Sequence, residues 1–230
     1  IVGKPPGSLS STKIYSEAYY RNDKGYSTFK RNNHSRKNII VVGSNSGMLH
    51  AFDNITGEEL WAFIPPSLLS KFQFVPNVGA SSTNAIYGVD GSPVIKDIYY
   101  NGGWKTVLLS GLGRGGNSYF ALDITDTLNP KHLFTFKNDP VAKFVYYWDA
   151  AGNKTDHDYG PGKTINSDYD FSKLGEAWST PKIIRIRIAG ADKWVAVFGA
   201  GFNNNVTNDY GSGVFVIDME DGGKVLQSIA

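Results

Sequence analysis

Oxygen-bearing side chains in the stretch 139–177 are the first candidates for chemistry, because carboxylate and amide oxygens are the ligands that calcium prefers. The candidates are Asp149, Asn153, Asp156 and Asp158. Their spacing does not match an EF-hand loop, which needs alternating oxygen donors, a central glycine and a terminal glutamate. Loose acids on a solvated loop are the commoner arrangement. We therefore assign no metal ligand and keep these four residues as weak candidates.

Two glycine-rich stretches have the residue types of nucleotide-binding loops. Gly111–Gly116 matches G-x-G-x-x-G, but a dinucleotide site needs a helix to follow, and residues 118–122 have the composition of a strand. Gly160–Thr164 ends like a phosphate-binding loop, yet His157 occupies the position of its first glycine. The sequence therefore predicts no bound nucleotide and no other cofactor within this segment.

Candidates for catalysis are missing from the sequence as well. The four histidines are scattered without the spacing of metal ligands, and the nucleophile-elbow pattern G-x-S-x-G does not occur. The chain has no cysteine, which excludes disulfides and thiolate metal sites within it. We predict no catalytic residue and no enzymatic activity.

Composition narrows the class of protein further. The net charge is +2, from 23 basic and 21 acidic residues, which is too close to neutral for a nucleic-acid-binding surface. No apolar run approaches the roughly 18 residues of a membrane span, and the opening residues lack the core of a signal peptide. We expect an internal fragment whose own targeting signal lies upstream. The 26 glycines and 31 aromatic residues (13 Tyr, 13 Phe and 5 Trp) favour strands and turns.

One stretch, 39–65, contains a complete structural unit. Short runs of β-branched and aromatic residues alternate there with turns rich in Gly, Asn, Ser and Asp, which predicts three antiparallel strands. Related units begin at Ser92 and Ser179. The three units align at the end of the second strand, which holds Val42-Gly43, Ser110-Gly111 and Phe198-Gly199. They align again at the end of the third strand, which holds Phe52-Asp53, Leu122-Asp123 and Ile217-Asp218.

Repetition of one four-stranded antiparallel unit is typical of a β-propeller. We predict an all-β chain that forms a single partial propeller domain over 1–230, with about three to four blades. The blade units are placed at about 1–65, 92–138 and 179–230, and the inserted loops at about 66–91 and 139–177. Ser16 is the predicted N-cap of a helical turn over 16–21.

The segment from Ala51 to Trp61 fits A-x-D-x-x-T-G-x-x-x-W without a mismatch. It resembles the tryptophan-docking repeat of quinoprotein propellers, in which a large aromatic side chain fills the gap between blades. Phe134 is predicted to take the place of Trp61 in the second unit. We expect structural roles, in blade turns and in blade docking, for a set of five residues: Asp53, Gly57, Trp61, Asp123 and Asp218.

The inserted stretch 139–177 has no sustained periodicity, and long loops of this kind in compact domains are often functional. It contains an aromatic group of the residue types that anchor interfaces. We predict that this loop is an interaction surface, carried by Phe144, Tyr146, Tyr147 and Trp148.

Four stretches of the chain resemble the C-terminal propeller of the PilY/PilC family of type IV pilus proteins. They are VVGSNSGMLHAFD with TGEELWAFIPPSLL, VDGSPVIKDIYYNGGWKTVLLSGLGRGGNSYFALDIT, EAWSTPKI, and WVAVFGAGFNN with GVFVIDMEDGGKV. The resemblance implies a modified seven-bladed propeller, and a protein exported through the periplasm and outer membrane to the pilus tip on the cell surface.

The same resemblance implies function and partners. The family promotes pilus extension against retraction, supports twitching motility and attaches to host cells, so the implied partners are minor pilins of the tip and a host-cell receptor. The calcium-binding Asp-rich loop of the family has no match here and is expected beyond Ala230.

Two other classes of propeller share the repeat. A dehydrogenase dependent on pyrroloquinoline quinone would need a cofactor in the central channel, a calcium ion and a catalytic carboxylate. Many such enzymes also have a vicinal disulfide, which this cysteine-free chain cannot form. A periplasmic scaffold propeller of outer-membrane assembly would have the repeats without the phrases IPPSLL and YYNGGWKT.

Overall fold

Three antiparallel sheets make up most of the computed structural model, which describes residues 1–77, 87–203 and 210–229. Sheet 1 contains β1 (Ile39–Gly43), β2 (Leu49–Asp53) and β3 (Glu59–Phe63). Sheet 2 contains β4 (Val94–Tyr100), β5 (Gly103–Gly111), β6 (Ser118–Asp123), β7 (Lys131–Asp139), β8 (Phe144–Trp148) and β9 (Lys154–Asp158). Sheet 3 contains β10 (Lys182–Ile188), β11 (Ala191–Gly199), β12 (Val214–Asp218) and β13 (Val225–Ile229). Each strand pairs with the next one along the chain, as in the blades of a propeller.

Sheet 2 lies between the other two sheets. Its strand β6 is buried along its whole length, and successive side chains point to opposite faces. Phe120 and Leu122 pack in a cluster with Ile39 and Leu49 of sheet 1, whereas Tyr119 packs in the larger cluster with sheet 3. Burial on both faces explains why β6 is a continuous apolar run rather than an alternating one.

Two short helices lie between the first residues and β1. They are α1 (Glu17–Asp23) and α2 (Tyr26–Asn32). The Ser16 side chain accepts a hydrogen bond from the Tyr19 amide, which is the predicted N-cap. The ring of Tyr20 contacts both Trp104 and Trp194 edge-on, at centroid distances of 6.0 and 6.1 Å. The helices therefore cover the β4–β5 and β10–β11 hairpins and connect sheets 2 and 3.

The first unit has three strands instead of four. Val2 forms an isolated bridge with Ile39, through two backbone hydrogen bonds of 2.8 Å, on the side of β1 that β4 and β10 occupy in the other sheets. After β3 the chain forms a 3-10 helix, Pro66–Asn77, within the predicted loop 66–91.

The stretch 139–177 is not the loop that the sequence predicts. It contributes β8 and β9, which extend sheet 2 to six strands, and a short 3-10 helix, Ser167–Tyr169. Phe171 and Leu174 are fully buried in the core beside sheet 3. The run 144–148 of β-branched and aromatic residues forms a strand because it pairs with the edge of β7 that β6 leaves open.

Candidate functional site

The blade-turn aspartates have the same geometry in all three sheets. One carboxylate oxygen accepts a backbone hydrogen bond from two residues further along the turn, at 2.8 Å for Asp53, 2.9 Å for Asp123 and 2.9 Å for Asp218. The other oxygen forms an ion pair with a lysine. All three side chains are almost fully buried. In each sheet the carboxylate therefore holds the turn that follows the strand ending at the aspartate.

The paired lysines are structural residues that the sequence reasoning missed. They are Lys37, Lys105 and Lys193, at 2.6, 2.9 and 2.5 Å from their aspartates. Each lies two residues before the strand position that pairs with its aspartate. A signal was present, because each lysine precedes the aligned glycine of its unit by the same spacing, in KNIIVVG, KTVLLSG and KWVAVFG.

The ion pairs shift the titration of the carboxyl groups. The Lys37 ammonium and the Ile55 amide lower the pKa of Asp53 to about 2. At Asp123 burial acts in the opposite direction, but hydrogen bonds from Thr125 and Lys105 outweigh it and the pKa is lowered. Both carboxylates are therefore ionised at neutral pH.

The docking aromatics lie between neighbouring sheets. Trp61 pairs with Ala51 and Phe134 with Ala121, and each pair is followed by the same β-bulge, so the two aromatics occupy equivalent positions. The Trp61 indole donates a 2.9 Å hydrogen bond to the Thr127 carbonyl, in the turn of sheet 2. Phe134 packs against the equivalent turn of sheet 3, where a Cβ on Gly223 would lie 2.4 Å from its ring. In sheet 3 this register position holds Gln227.

The aromatic residues of β8 divide between two faces. Tyr147 and Val145 are buried, and the Tyr147 hydroxyl donates a 3.0 Å hydrogen bond to the Gly222 carbonyl. The other face carries Phe144, Tyr146 and Trp148, which are half-buried and follow one another at centroid distances of 6.0 and 6.3 Å. We call this row of three the outer-strand face. Lys154 lies over the Tyr146 ring, at 4.1 Å from its centroid.

The weak metal candidates are spread along the β8–β9 hairpin. Asp149 accepts hydrogen bonds from the Ala151 and Asn153 amides and thereby shapes the turn. Asp156 pairs with Lys154, and Asp158 accepts from the Gly160 amide. Within residues 1–77, 87–203 and 210–229, three or more His, Asp or Glu side chains do not converge in a way that could hold a metal ion.

The glycine-rich stretch Gly111–Gly116 forms a tight turn between β5 and β6. The Gly115 amide donates to the Leu112 carbonyl, at 2.9 Å, and the chain continues directly into a strand. Nor does any helix in the described part of the chain have the length and apolar character needed to cross a membrane.

Three antiparallel sheets, each with a turn held by a buried aspartate and docked on its neighbour through aromatic side chains, define part of a β-propeller; the sheets that the described residues form are too few to close a ring. The model of the PilY1 β-propeller domain matches residues 7–230, and the chain belongs to this family. The prediction of an incomplete all-β propeller related to PilY/PilC proteins is confirmed.

Individual relatives agree with the family assignment. The type IV pilus biogenesis factor PilY1 of Pseudomonas aeruginosa (strain UCBPP-PA14) is 34% identical over 197 residues, which cover 86% of this chain and 14% of that protein. A PilY1 homolog of Xylella fastidiosa is 38% identical over 138 residues, or 58% of this chain and 10% of that protein. The crystal structure of the P. aeruginosa PilY1 C-terminal domain superposes with a TM-score of 0.60 at 31% identity, covering 89% of this chain and 32% of that one.

Proposed function

We propose that this chain is the propeller part of a type IV pilus biogenesis factor. The observation that carries the proposal is membership of the PilY1 propeller family, together with relatives from two genera whose names state that role. Because the chain spans only 14% of the length of the first relatives, the activity of the intact protein is inferred from theirs.

In the more specific form of the proposal, the protein is a non-enzymatic adhesin at the pilus tip, exported through the periplasm and outer membrane. It promotes pilus extension against retraction and thereby supports twitching motility, and it attaches to host cells. Its partners are minor pilins of the tip and a receptor on the host surface. A scaffold of docked sheets suits such a role, because rigid elements hold a contact surface in place.

The outer-strand face is the surface that we assign to these contacts. Phe144, Tyr146 and Trp148 lie in one row on β8, which is paired between β7 and β9 in sheet 2. Aromatic residues are enriched at interface hot spots, and three of them fixed on a strand lose little side-chain entropy on binding. Lysines at 4.1 and 5.8 Å from the Tyr146 centroid add charge to the surface.

Substitution of the row tests this assignment better than deletion of 139–177, because a deletion would also remove the buried Phe171 and Leu174. We expect the triple variant Phe144→Thr, Tyr146→Thr, Trp148→Thr of the intact protein to remain folded, since threonine keeps a high strand propensity. Host-cell attachment should fall at least severalfold, with surface piliation and twitching measured on the same strain.

The matched control is Tyr147→Phe, which removes one hydroxyl from the opposite, buried face of the same strand. This variant should attach to cells as the parent does. If the triple variant is folded and secreted but attachment, piliation and twitching are all unchanged, the outer-strand face is not the working surface.

A further inference from the structure

Three backbone segments meet at the end of sheets 2 and 3 where β5 and β11 finish. Gly113 donates to the Ala177 carbonyl at 3.2 Å, and Glu176 and Phe202 exchange two hydrogen bonds of 2.8 and 2.9 Å. The approach is close enough that a Cβ on Gly201, whose φ is +98°, would lie 2.0 Å from the Glu176 carbonyl oxygen. The segments therefore form a rigid base.

A continuous column of planar side chains stands on this base. The Arg114 guanidinium lies 5.3 Å from the ring of Tyr87 and 5.5 Å from that of Trp178, and Trp178 stacks on Phe202 at 4.7 Å. Trp178 is 48% exposed and Phe202 is 41% exposed, which is unusual for large apolar side chains that contact each other. Two further hydrogen bonds orient its members, from Trp178 to Glu176 at 2.9 Å and from Arg114 to Tyr87 at 3.0 Å.

A small pocket opens beside the column, at the junction of sheets 2 and 3. Its volume is about 230 Å³, below the roughly 300–1,000 Å³ of pockets for drug-sized ligands. Trp178 forms an aromatic wall, and the polar lining consists of Asp90, Ser92, Arg114 and Thr180. We call it the junction pocket.

The lining favours a neutral polyol over a charged ligand. Asp90 and Arg114 contribute one negative and one positive charge, so a lone anion or cation would meet a like charge as well as an opposite one. Adjacent hydroxyl groups of a sugar can donate to a carboxylate and accept from a guanidinium at the same time, and the Ser92 and Thr180 hydroxyls can do either. The C–H groups of a sugar ring can lie against the part of the Trp178 indole that Arg114 and Phe202 leave exposed.

We propose that the junction pocket binds one neutral saccharide unit, which contacts Trp178 and is hydrogen-bonded by Asp90 and Arg114. The pocket shares no residue with the outer-strand face, so this proposal does not depend on the proposed function. The bound saccharide is either a free sugar or the terminal unit of a glycan chain. An oligosaccharide that ends in the same unit should still bind if the pocket recognises the end of a glycan, and should bind more weakly if it recognises the free sugar.

The test uses the intact protein on an array of neutral and acidic oligosaccharides, with the corresponding monosaccharides titrated calorimetrically. At least one neutral saccharide should bind, and the Trp178→Ala and Asp90→Asn variants should each bind it at least tenfold more weakly. Both residues are exposed, so the folded state should survive. The control Tyr19→Ala removes an aromatic side chain of similar exposure, 42%, on α1, and should bind within twofold of the parent.

Three outcomes would overturn the proposal. They are binding of no neutral saccharide, equal binding by the parent and both pocket variants, and a preference for acidic sugars that Asp90→Asn strengthens. An array of acidic peptides run in parallel identifies the main rival. If peptides bind through Trp178 and Arg114 while saccharides do not, the column is a protein interface and the junction pocket is not a sugar site.

Discussion

Each blade-turn aspartate uses its two carboxylate oxygens for different tasks. One oxygen organises the turn, and the other pairs with a lysine that lies two residues before the aspartate's partner position on the neighbouring strand, so that a single side chain connects local and long-range structure. The paired residues lie 16 positions apart in Lys37–Asp53 and 25 apart in Lys193–Asp218, so the repeated lysine-to-glycine spacing marks the lysines without identifying their partners. The turn role of Asp53 is predictable from the Thr56-Gly57 pair that follows it, whereas the lysine partners of all three aspartates depend on the strand register.

Ionised Asp53 contributes to the free energy of unfolding of the propeller, and this contribution is sensitive to acid. Because the folded pKa is about 2 and the ordinary value is 3.8, the ionised form stabilises the fold at neutral pH, and this contribution is lost as pH falls through that interval. We expect Asp53→Asn to lower the free energy of unfolding at pH 7 and the difference from the parent to shrink towards pH 2, measured by denaturant titration.

The comparison variant is Asp156→Asn, at an exposed ion pair on the hairpin, which should change the free energy of unfolding by less than about 0.5 kcal/mol. A difference between Asp53→Asn and the parent that stays constant from pH 7 to pH 2 would show that the ionised carboxylate is not the source of the stabilisation.

At the scale of elements, the turn of one sheet receives the aromatic side chain of the sheet before it. Gly223 has a φ of +73° and the Phe134 ring directly against it, whereas Gly57 has a φ of +75° and open space. Glycine is thus needed at Gly57 only because the backbone is left-handed. At Gly223 it is needed both for a left-handed backbone and because the Phe134 ring leaves no room for a side chain.

These two glycines allow backbone strain to be separated from docking. Gly57→Ala should cost about 1–2 kcal/mol, for the left-handed conformation alone. Gly223→Ala should cost roughly 1–3 kcal/mol more, because its methyl group would overlap Phe134 in a packed core. Unfolding free energies of the two variants check this, and equal losses would mean that the turn does not support Phe134.

The β8–β9 hairpin is an element that the sequence analysis did not predict. The run FVYYW has the composition of a strand, but a repeat of four strands leaves no place for a fifth and sixth, so the sequence alone favours a loop. The run becomes a strand because it pairs with the edge of β7 that β6 leaves open. Its alternation then separates Tyr147 from Tyr146, which the sequence grouped together.

Across the whole molecule, sheet 2 is the best-protected part. Thr106–Leu109 on β5 and the whole of β6 are buried, with a paired strand on either side and a sheet packed on each face. Native-state hydrogen exchange of the intact protein should therefore find the slowest amides in β5 and β6. The edge strand β9 carries exposed Lys154, Thr155 and Asp156 and should exchange at least a hundredfold faster. Comparable rates in β6 and β9 would contradict the central position of sheet 2.

The sequence by itself determined the strands and turns of the three repeated units, and through the repeat the propeller family, because alternation, turn chemistry and the docking pattern are local properties of each unit. Only the tertiary structure decided the lysine–aspartate pairs, the two faces of β8 and the junction pocket. The pocket brings together Asp90, Arg114 and Trp178 from three separate connections, and their convergence depends on how two sheets pack rather than on any spacing along the chain. The Ile39–Pro65 unit is thus predictable from its own residues, whereas the surfaces to which we assign function arise between units.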